Sequence, residues 1–392
     1  MGHVGDLLGR ASGPAAAAGS ALGADARGDP RGNARGGVVD PLRGSAEERV
    51  EVEALLTLQR LAGVGDVGLN ALIAAFGSGR HALEAPDADA LAGGPPCARP
   101  LATADALGIE VVPIGGAAYP ARLLELSDPP PLLFLRGRTE LLADPSVAVV
   151  GSRRATAYGR RTAARLGAAL ARAGVVVVSG LALGVDGEAH RGALDAGGGT
   201  LAVLGAGADV EHPAGHAHLH RAIAHDGLLV SEFAPGTQPA PHHFPRRNRI
   251  MAALARAVVV VEAAERSGAL ITARIALDLG REVLAVPGPI DAPTSVGSNA
   301  LLADGAAPAL GVEVVLRAIG IEEPPRARAA APAPGVGDSA TVWAALDAHP
   351  LPVDEIAGRT SLPAGRALAA LSLLELEGWA VRSAGGRFAR RP

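Results

Sequence analysis

Short runs of β-branched and other apolar residues punctuate the middle of the chain: Val147 to Val150, Val175 to Val178, Leu201 to Leu204, Leu228 to Ser231, Val258 to Val261 and Val283 to Val286. None alternates with polar residues, so each reads as a strand buried on both faces rather than one with a wet side. The stretches between them have helical length, and crossovers of that length join parallel neighbours with a right hand. From Val147 to roughly Gly320, within a domain drawn from 111 to 320, the pattern predicts a Rossmann-like, doubly wound and mainly parallel α/β sheet.

Smaller patterns flank it. Leu55, Leu56, Leu58 and Leu61 precede Gly63-Val64-Gly65, and Leu69, Leu72, Ile73 and Phe76 follow, which predicts two short helices joined by a glycine turn in a helical domain from 47 to 110. That pattern resembles a helix-hairpin-helix (SAM-like) unit, whose hairpin amides can hold a DNA phosphate, but little positive charge accompanies it and plain packing fits as well. A Pro-, Ala- and Arg-rich stretch at 321–338 reads as a linker. Val342 to Leu346, Val353 to Ile356 and the segment after Pro363 then make three helices, and Trp379-Ala380-Val381, Gly385-Gly386 and Arg387-Phe388 a hairpin. Together they describe a C-terminal winged helix over 339–392, whose recognition helix carries Arg366 but also Glu375 and Glu377, so protein docking or packing fits it at least as well as a major groove. Residues 1–46, rich in Gly, Ala, Pro and Arg without a period, read as a disordered tail.

Composition narrows the setting. Of 392 residues, 48% are hydrophobic, enough to build a core of several layers. The single cysteine, Cys97, excludes an internal disulfide and a multi-cysteine zinc site, as suits a reducing cytosol. Asp6, Arg10, Asp25 and Arg27 interrupt the N-terminal apolar residues, so no signal peptide is expected, and no stretch would span a bilayer. These features point to the cytoplasm and away from the membrane.

A net charge of −4 argues against general attraction to nucleic acid, but its distribution reverses that impression. Pro145 to Val185 holds Arg153, Arg154, Arg160, Arg161, Arg165 and Arg172 without an acidic residue, and Phe233 to Val261 holds Arg246, Arg247, Arg249 and Arg256, again without one. No lysine occurs, so every basic side chain is a planar guanidinium suited to phosphate and to stacking on bases.

The ligand site of a parallel sheet lies beyond the carboxyl ends of its strands, where helix N-termini point free amides outward. At those ends stand Gly151-Ser152-Arg153-Arg154, Ser179-Gly180, Gly205-Ala206-Gly207, Ser231-Glu232, Glu262 and Pro287-Gly288. Small residues let backbone approach an anion and arginine adds charge, a combination suited to a phosphodiester. Any one such turn serves tight packing equally well; their recurrence on one sheet edge carries the inference. Phe244-Pro245-Arg246-Arg247-Asn248-Arg249 should join the same edge, leading into the helix before Val258. It offers a stacking ring, phosphate ligands and an amide for a base edge, in a chain with only five phenylalanines.

Enzyme readings find less support. Gly205-Ala206-Gly207 opens like a dinucleotide fingerprint, but Val210 stands where a third glycine is needed, and without lysine there is no Walker motif. Asp186 and His190 have the spacing of a base and its orienter, although a helix-cap aspartate and a packed histidine explain them more simply. His216 and His220, within a cluster from His212 to His225, have metal-ligand spacing but no partnering carboxylates or thiolates. No catalytic residue, metal or cofactor is assigned.

Taken in order, Val149-Val150-Gly151-Ser152-Arg153, Val178-Ser179-Gly180-Leu181-Ala182, Gly184-Val185-Asp186 with Ala189-His190, Phe244 to Ile250, Ser267-Gly268-Ala269-Leu270-Ile271-Thr272-Ala273 and Ala285-Val286-Pro287-Gly288 resemble the successive motifs of the DNA-processing protein A (DprA/Smf) family. The resemblance implies a non-enzymatic protein that protects incoming single-stranded DNA in natural transformation, helps load the RecA recombinase, and forms a homodimer through its Rossmann-like domain. It also implies a DNA groove lined by Gly151, Ser152, Arg153 and the Phe244 to Arg249 segment, with Ser179, Gly180, Ser267, Gly268 and Thr272 nearby. Pro241 and Ala214 stand where lysines are common, leaving His218, His242, His243 and Arg246 to supply the charge, with binding that strengthens as the histidines protonate. The main rival, a phosphoribohydrolase-type nucleotide-processing enzyme on a similar sheet, calls for a Pro-Gly-Gly-x-Gly-Thr turn, and the corresponding Arg266-Ser267-Gly268-Ala269-Leu270 lacks it.

Overall fold

The structure is a computed structural model that describes residues 45–59, 66–84, 98–321, 337–347, 350–376, 379–383 and 385–390. The chain divides into two compact units, the first ending at Pro324. The Gly63–Gly65 turn, most of the expected tail and most of the expected linker lie outside the described residues.

The six apolar runs are all strands: β3 (Ser146–Val150), β4 (Val176–Ser179), β5 (Thr200–Val203), β6 (Leu228–Ser231), β7 (Ala257–Val260) and β8 (Glu282–Ala285). They pair in parallel in the order β6-β5-β4-β3-β7-β8, with the short β9 (Ala307–Pro308) beyond β8. Two further strands, β1 (Glu110–Pro113) and β2 (Leu132–Gly137), extend the other edge antiparallel through β2 and β6 and complete a nine-stranded sheet. Among the described residues no helix is long and apolar enough to cross a membrane.

The continuous apolar runs are explained by the layers. Successive residues of a strand point to opposite faces. Val147 and Val149 thus join the core under α5 (Ala157–Arg172) and α6 (Val185–Asp195), while Ala148 and Val150 join the opposite core under α8 (His243–Leu254) and α9 (Gly268–Asp278). At the β2–β6 side, Leu55 and Leu58 of α1 (Ala46–Gln59) and Leu69 and Leu72 of α2 (Asp66–Phe76) share a third core with Phe134, Leu204 and Leu229.

The second unit holds α12 (Asp338–Ala345), α13 (Val353–Thr360) and α14 (Ala364–Leu376), with a three-stranded sheet of β10 (Leu351–Pro352), β11 (Ala380–Ser383) and β12 (Arg387–Arg390). Val342, Ile356, Leu371 and Phe388 fill its core, which is a winged helix. Arg366, on α14, is held by Asp338 through two contacts of 2.7 Å.

Candidate nucleic-acid interface

The parallel strands end at one rim, and the loops leaving it carry small residues because little else fits. After β3, Gly151 packs on Val185, where a Cβ would come 2.7 Å from a methyl carbon. Helix α8 begins at His243 and so brings Phe244 onto this rim in its first turn. The Phe244 ring lies against Gly205 after β5, where a Cβ would approach it to 2.9 Å. Arg153 Cζ stands 5.0 Å from the ring centroid, and the His212 ring stacks on it at 5.7 Å. The Gly151 turn and Phe244, far apart in sequence, therefore share one lip. Arg153 is exposed and Phe244 half-buried, so a cation and a π-face are presented together to solvent.

Behind the lip opens a small pocket of about 100 Å³, lined by Leu183, Leu204, Val210 and Pro213 and, on its inner side, by Gly180 and Arg247. Arg247 is only 4% exposed. Its Nη1 donates to the carbonyls of Gly180, at 2.7 Å, and Val203, and its Nε donates to Asn248 Oδ1 at 3.0 Å. Asp186 Oδ2 lies 4.0 Å from Nη2 and accepts the Gly180 N–H at 3.2 Å. Burial pulls the Arg247 guanidinium down to about 10, so it remains charged at neutral pH; burial likewise pushes the Asp186 carboxyl up.

The arginine cluster is not the solvent-facing set that its sequence suggests. Phe244 to Arg249 lies inside α8 rather than ahead of it, so its residues point in several directions around a helix. Arg247 and Arg249 are both buried. Arg249 pairs with Glu232 at 2.6 Å and Asp128 at 3.2 Å, and Arg246 reaches the same Glu232 oxygen at 3.0 Å while lying over Phe233. Much of this positive charge is thus answered by carboxylates inside the fold. Burial pushes Glu232 up to about 7.

The remaining candidates spread along the rim. Ser152 and Arg154 sit in the β3 loop, where Ser152 Oγ accepts the Arg154 N–H at 3.1 Å. Ser179 is buried and donates to the Val149 carbonyl at 2.6 Å. Ser267 caps α9, and the Gly268 carbonyl accepts from Asn248 Nδ2 at 3.3 Å, which ties that loop to α8. Thr272 is buried with no partner for its hydroxyl among the described residues. At the crevice between β3 and β7, where sheet connections diverge, Glu262 accepts from Thr156 N at 2.9 Å and Thr156 Oγ1 at 2.5 Å and lies against Gly159. The N-terminus of α5 is thereby engaged by a side chain of the protein itself.

Asp186 and His190 are separate structural elements rather than a dyad. His190 donates from Nδ1 to Thr200 Oγ1 at 2.7 Å, and burial holds its pKa down at about 3. Asp186 is not the cap of α6, a position held by Gly184. His216 is buried and donates from Nδ1 to the Leu181 carbonyl at 3.0 Å. No group of three His, Cys, Asp or Glu side chains is placed to hold a metal among the described residues. Leu183, Val210 and His212 join the pocket although sequence reasoning did not single them out as site residues; an aromatic-like histidine beside a proline was the available signal for His212.

The sequence matches the family of DNA recombination-mediator protein A over residues 110–320, and the DprA winged helix domain over 324–386. It is 39% identical over 294 residues to Protein Smf of Escherichia coli K12, spanning 70% of this chain and 76% of that protein. Against the putative DNA processing protein DprA of Mycobacterium tuberculosis H37Rv it is 44% identical over 248 residues, spanning 62% and 64%. The X-ray structure of DNA processing protein A from Streptococcus pneumoniae superposes with a TM-score of 0.56 at 34% identity, covering 68% of this chain and 96% of that one.

Proposed function

The chain belongs to the DNA recombination-mediator protein A (DprA/Smf) family, and from that premise we propose that it holds single-stranded DNA along the rim of its parallel sheet and acts by binding rather than by covalent chemistry. One observation carries the reading: Arg153 stands 5.0 Å over Phe244 at the mouth of an apolar pocket. Unpaired strands expose both phosphates and base faces, and this lip offers a partner to each. A duplex hides its base faces in the stack and can use only the charge. Gly151, Ser152 and Arg154 extend the phosphate contacts, whereas Arg247 and Arg249 act from beneath the surface. Protection of incoming DNA in natural transformation, loading of RecA, a homodimer through the sheet domain and a cytoplasmic setting complete the proposal.

Fluorescence anisotropy with labelled oligothymidine and a matching duplex, each over a salt series, tests it. The single strand should bind more tightly, and Arg153→Ala should lower the slope of log affinity against log salt by about 0.7, the loss of one phosphate contact. An unchanged slope and affinity in Arg153→Ala would place the site elsewhere. Sedimentation of the free protein tests the dimer, and capture of RecA by the DNA-binding-deficient variant tests that partner.

A further inference from the structure

Resting on the single-strand reading above, we propose that the strand does not stop at the rim but runs off it along the outer surface of α5, where a ridge of unpaired arginines holds the phosphates of its flanking nucleotides. Helix α5 starts just after the loop of Arg153 and Arg154 and carries the chain from the rim back toward the amino ends of the strands, where β4 begins at Val176. Arg161, Arg165 and Arg172 stand at i, i+4 and i+11, a spacing that keeps them within about 40° of one another on one face, over a rise of roughly 16 Å. All three are exposed, as is Arg154 at the head of the helix, and Tyr158 is 44% exposed between them.

Nothing in the described protein answers the charge of this ridge. Surface arginines elsewhere have a carboxylate close by: Arg80 has Glu84 at 2.8 Å, Arg138 has Glu140 at 2.9 Å and Arg221 has Glu211 at 2.8 Å. Among the described residues none of Arg154, Arg161, Arg165 and Arg172 has a carboxylate within 4.0 Å. The neighbouring α6 gives its Glu188 to its own Arg191 at 2.8 Å and buries its Asp186 beside Arg247. Like charges one turn apart repel, and a polyanion laid along them removes that repulsion. At the rim end, the Tyr158 hydroxyl donates to the Pro287 carbonyl at 3.3 Å, which holds the ring as a face for a base. An unpaired strand uses both features, its phosphates on guanidinium forks and a base on the ring, whereas a duplex offers only phosphates. Arg153 of the lip and Arg154 are adjacent residues, so one strand passes from lip to ridge without a gap.

Anisotropy with the full chain and two labelled oligothymidines separates ridge from lip: one of about six nucleotides reaches the lip alone, and one of about thirty follows the helix. In the triple variant Arg161→Gln, Arg165→Gln, Arg172→Gln, the slope of log affinity against log salt for the long strand should fall by about 2, the loss of three phosphate contacts at roughly 0.7 each. Short-strand binding should stay as it was, which also shows that the variant is folded. The control Arg80→Gln, Arg138→Gln, Arg221→Gln removes the same charge from paired positions and should leave both slopes unchanged. A long-strand slope that does not move in the ridge variant overturns the ridge and leaves the lip intact. Equal losses on both strands, or a loss seen only with a matching duplex, also overturn it. Failure of the unsubstituted protein to bind either strand overturns the ridge and the single-strand reading together.

Discussion

A methyl group at position 180 has no room. An ideal Cβ there falls 2.0 Å from Nη2 and 2.2 Å from Cζ of Arg247, far inside a carbon contact distance of about 3.5 Å. An exposed side-chain end would swing aside, but this guanidinium is held by the Gly180 and Val203 carbonyls and by Asn248. Relief requires it to leave those bonds, each contributing about 1.5–3 kcal/mol for a charged donor, or requires β4 and β5 to part. Because the pocket lets the displaced group regain some solvation, Gly180→Ala should destabilise the first unit by about 2–4 kcal/mol. Guanidinium chloride unfolding followed by far-UV circular dichroism measures this. Both tryptophans, Trp343 and Trp379, lie in the second unit, so their fluorescence should report a transition that does not move. In an Arg247→Ala background the same methyl meets vacated space and should cost less than about 1 kcal/mol. A loss below about 0.5 kcal/mol in the first background, or equal losses in both, would refute the locked guanidinium.

Three further outcomes follow from the same geometry. Phe244→Ala should weaken single-strand binding by about 1–3 kcal/mol, and its effect should fall short of additivity with Arg153→Ala by about 0.5–1 kcal/mol, since the two groups touch; anisotropy on the double mutant checks it, and full additivity would separate them. Thr156→Ala removes both the acceptor for Gly159 N–H and a hydroxyl donor to buried Glu262, and should cost about 1–2 kcal/mol in a denaturant titration, no change being the contrary result. Glu232 is held up at about 7 by burial, so the stability linked to its proton is present in full below the ordinary value of 4.5 and is lost as pH rises through 7, by up to about 3 kcal/mol. Glutamine does not titrate, so the stability of Glu232→Gln relative to the unsubstituted protein should climb by that amount between about pH 4.5 and 8, whatever its offset; a flat difference would contradict the assignment.

The parallel strands were legible because a strand covered on both faces must be apolar throughout, as Val147 to Val150 and Val258 to Val261 are. Strands β1 and β2 were not, since Glu110–Pro113 is short and ends in proline, and the pairing of Leu132–Gly137 with β6 depends on residues about a hundred positions away. Within the site, Arg153 and Phe244 were readable as a cation and a stacking ring, although only the fold could bring them together. The burial of Arg247 and Arg249 was not legible for a physical reason: charged side chains are normally exposed, and these are buried beside Asp186, Glu232 and Asp128, which come from distant parts of the chain. Local sequence holds no sign of those distant partners. The pocket was equally hidden, since Leu183 and Val210 look like ordinary apolar loop residues until β4 and β5 set them around one space.

The central claim, that an unpaired strand lies on this rim, is tested most directly by photo-crosslinking. Oligothymidine substituted with 4-thiothymidine, irradiated with the full chain and mapped by peptide mass spectrometry, should join to the peptides that carry Arg153, His212 or Phe244. Crosslinks confined to residues 337–390 or to α1 and α2, with none at the sheet rim, would contradict the account.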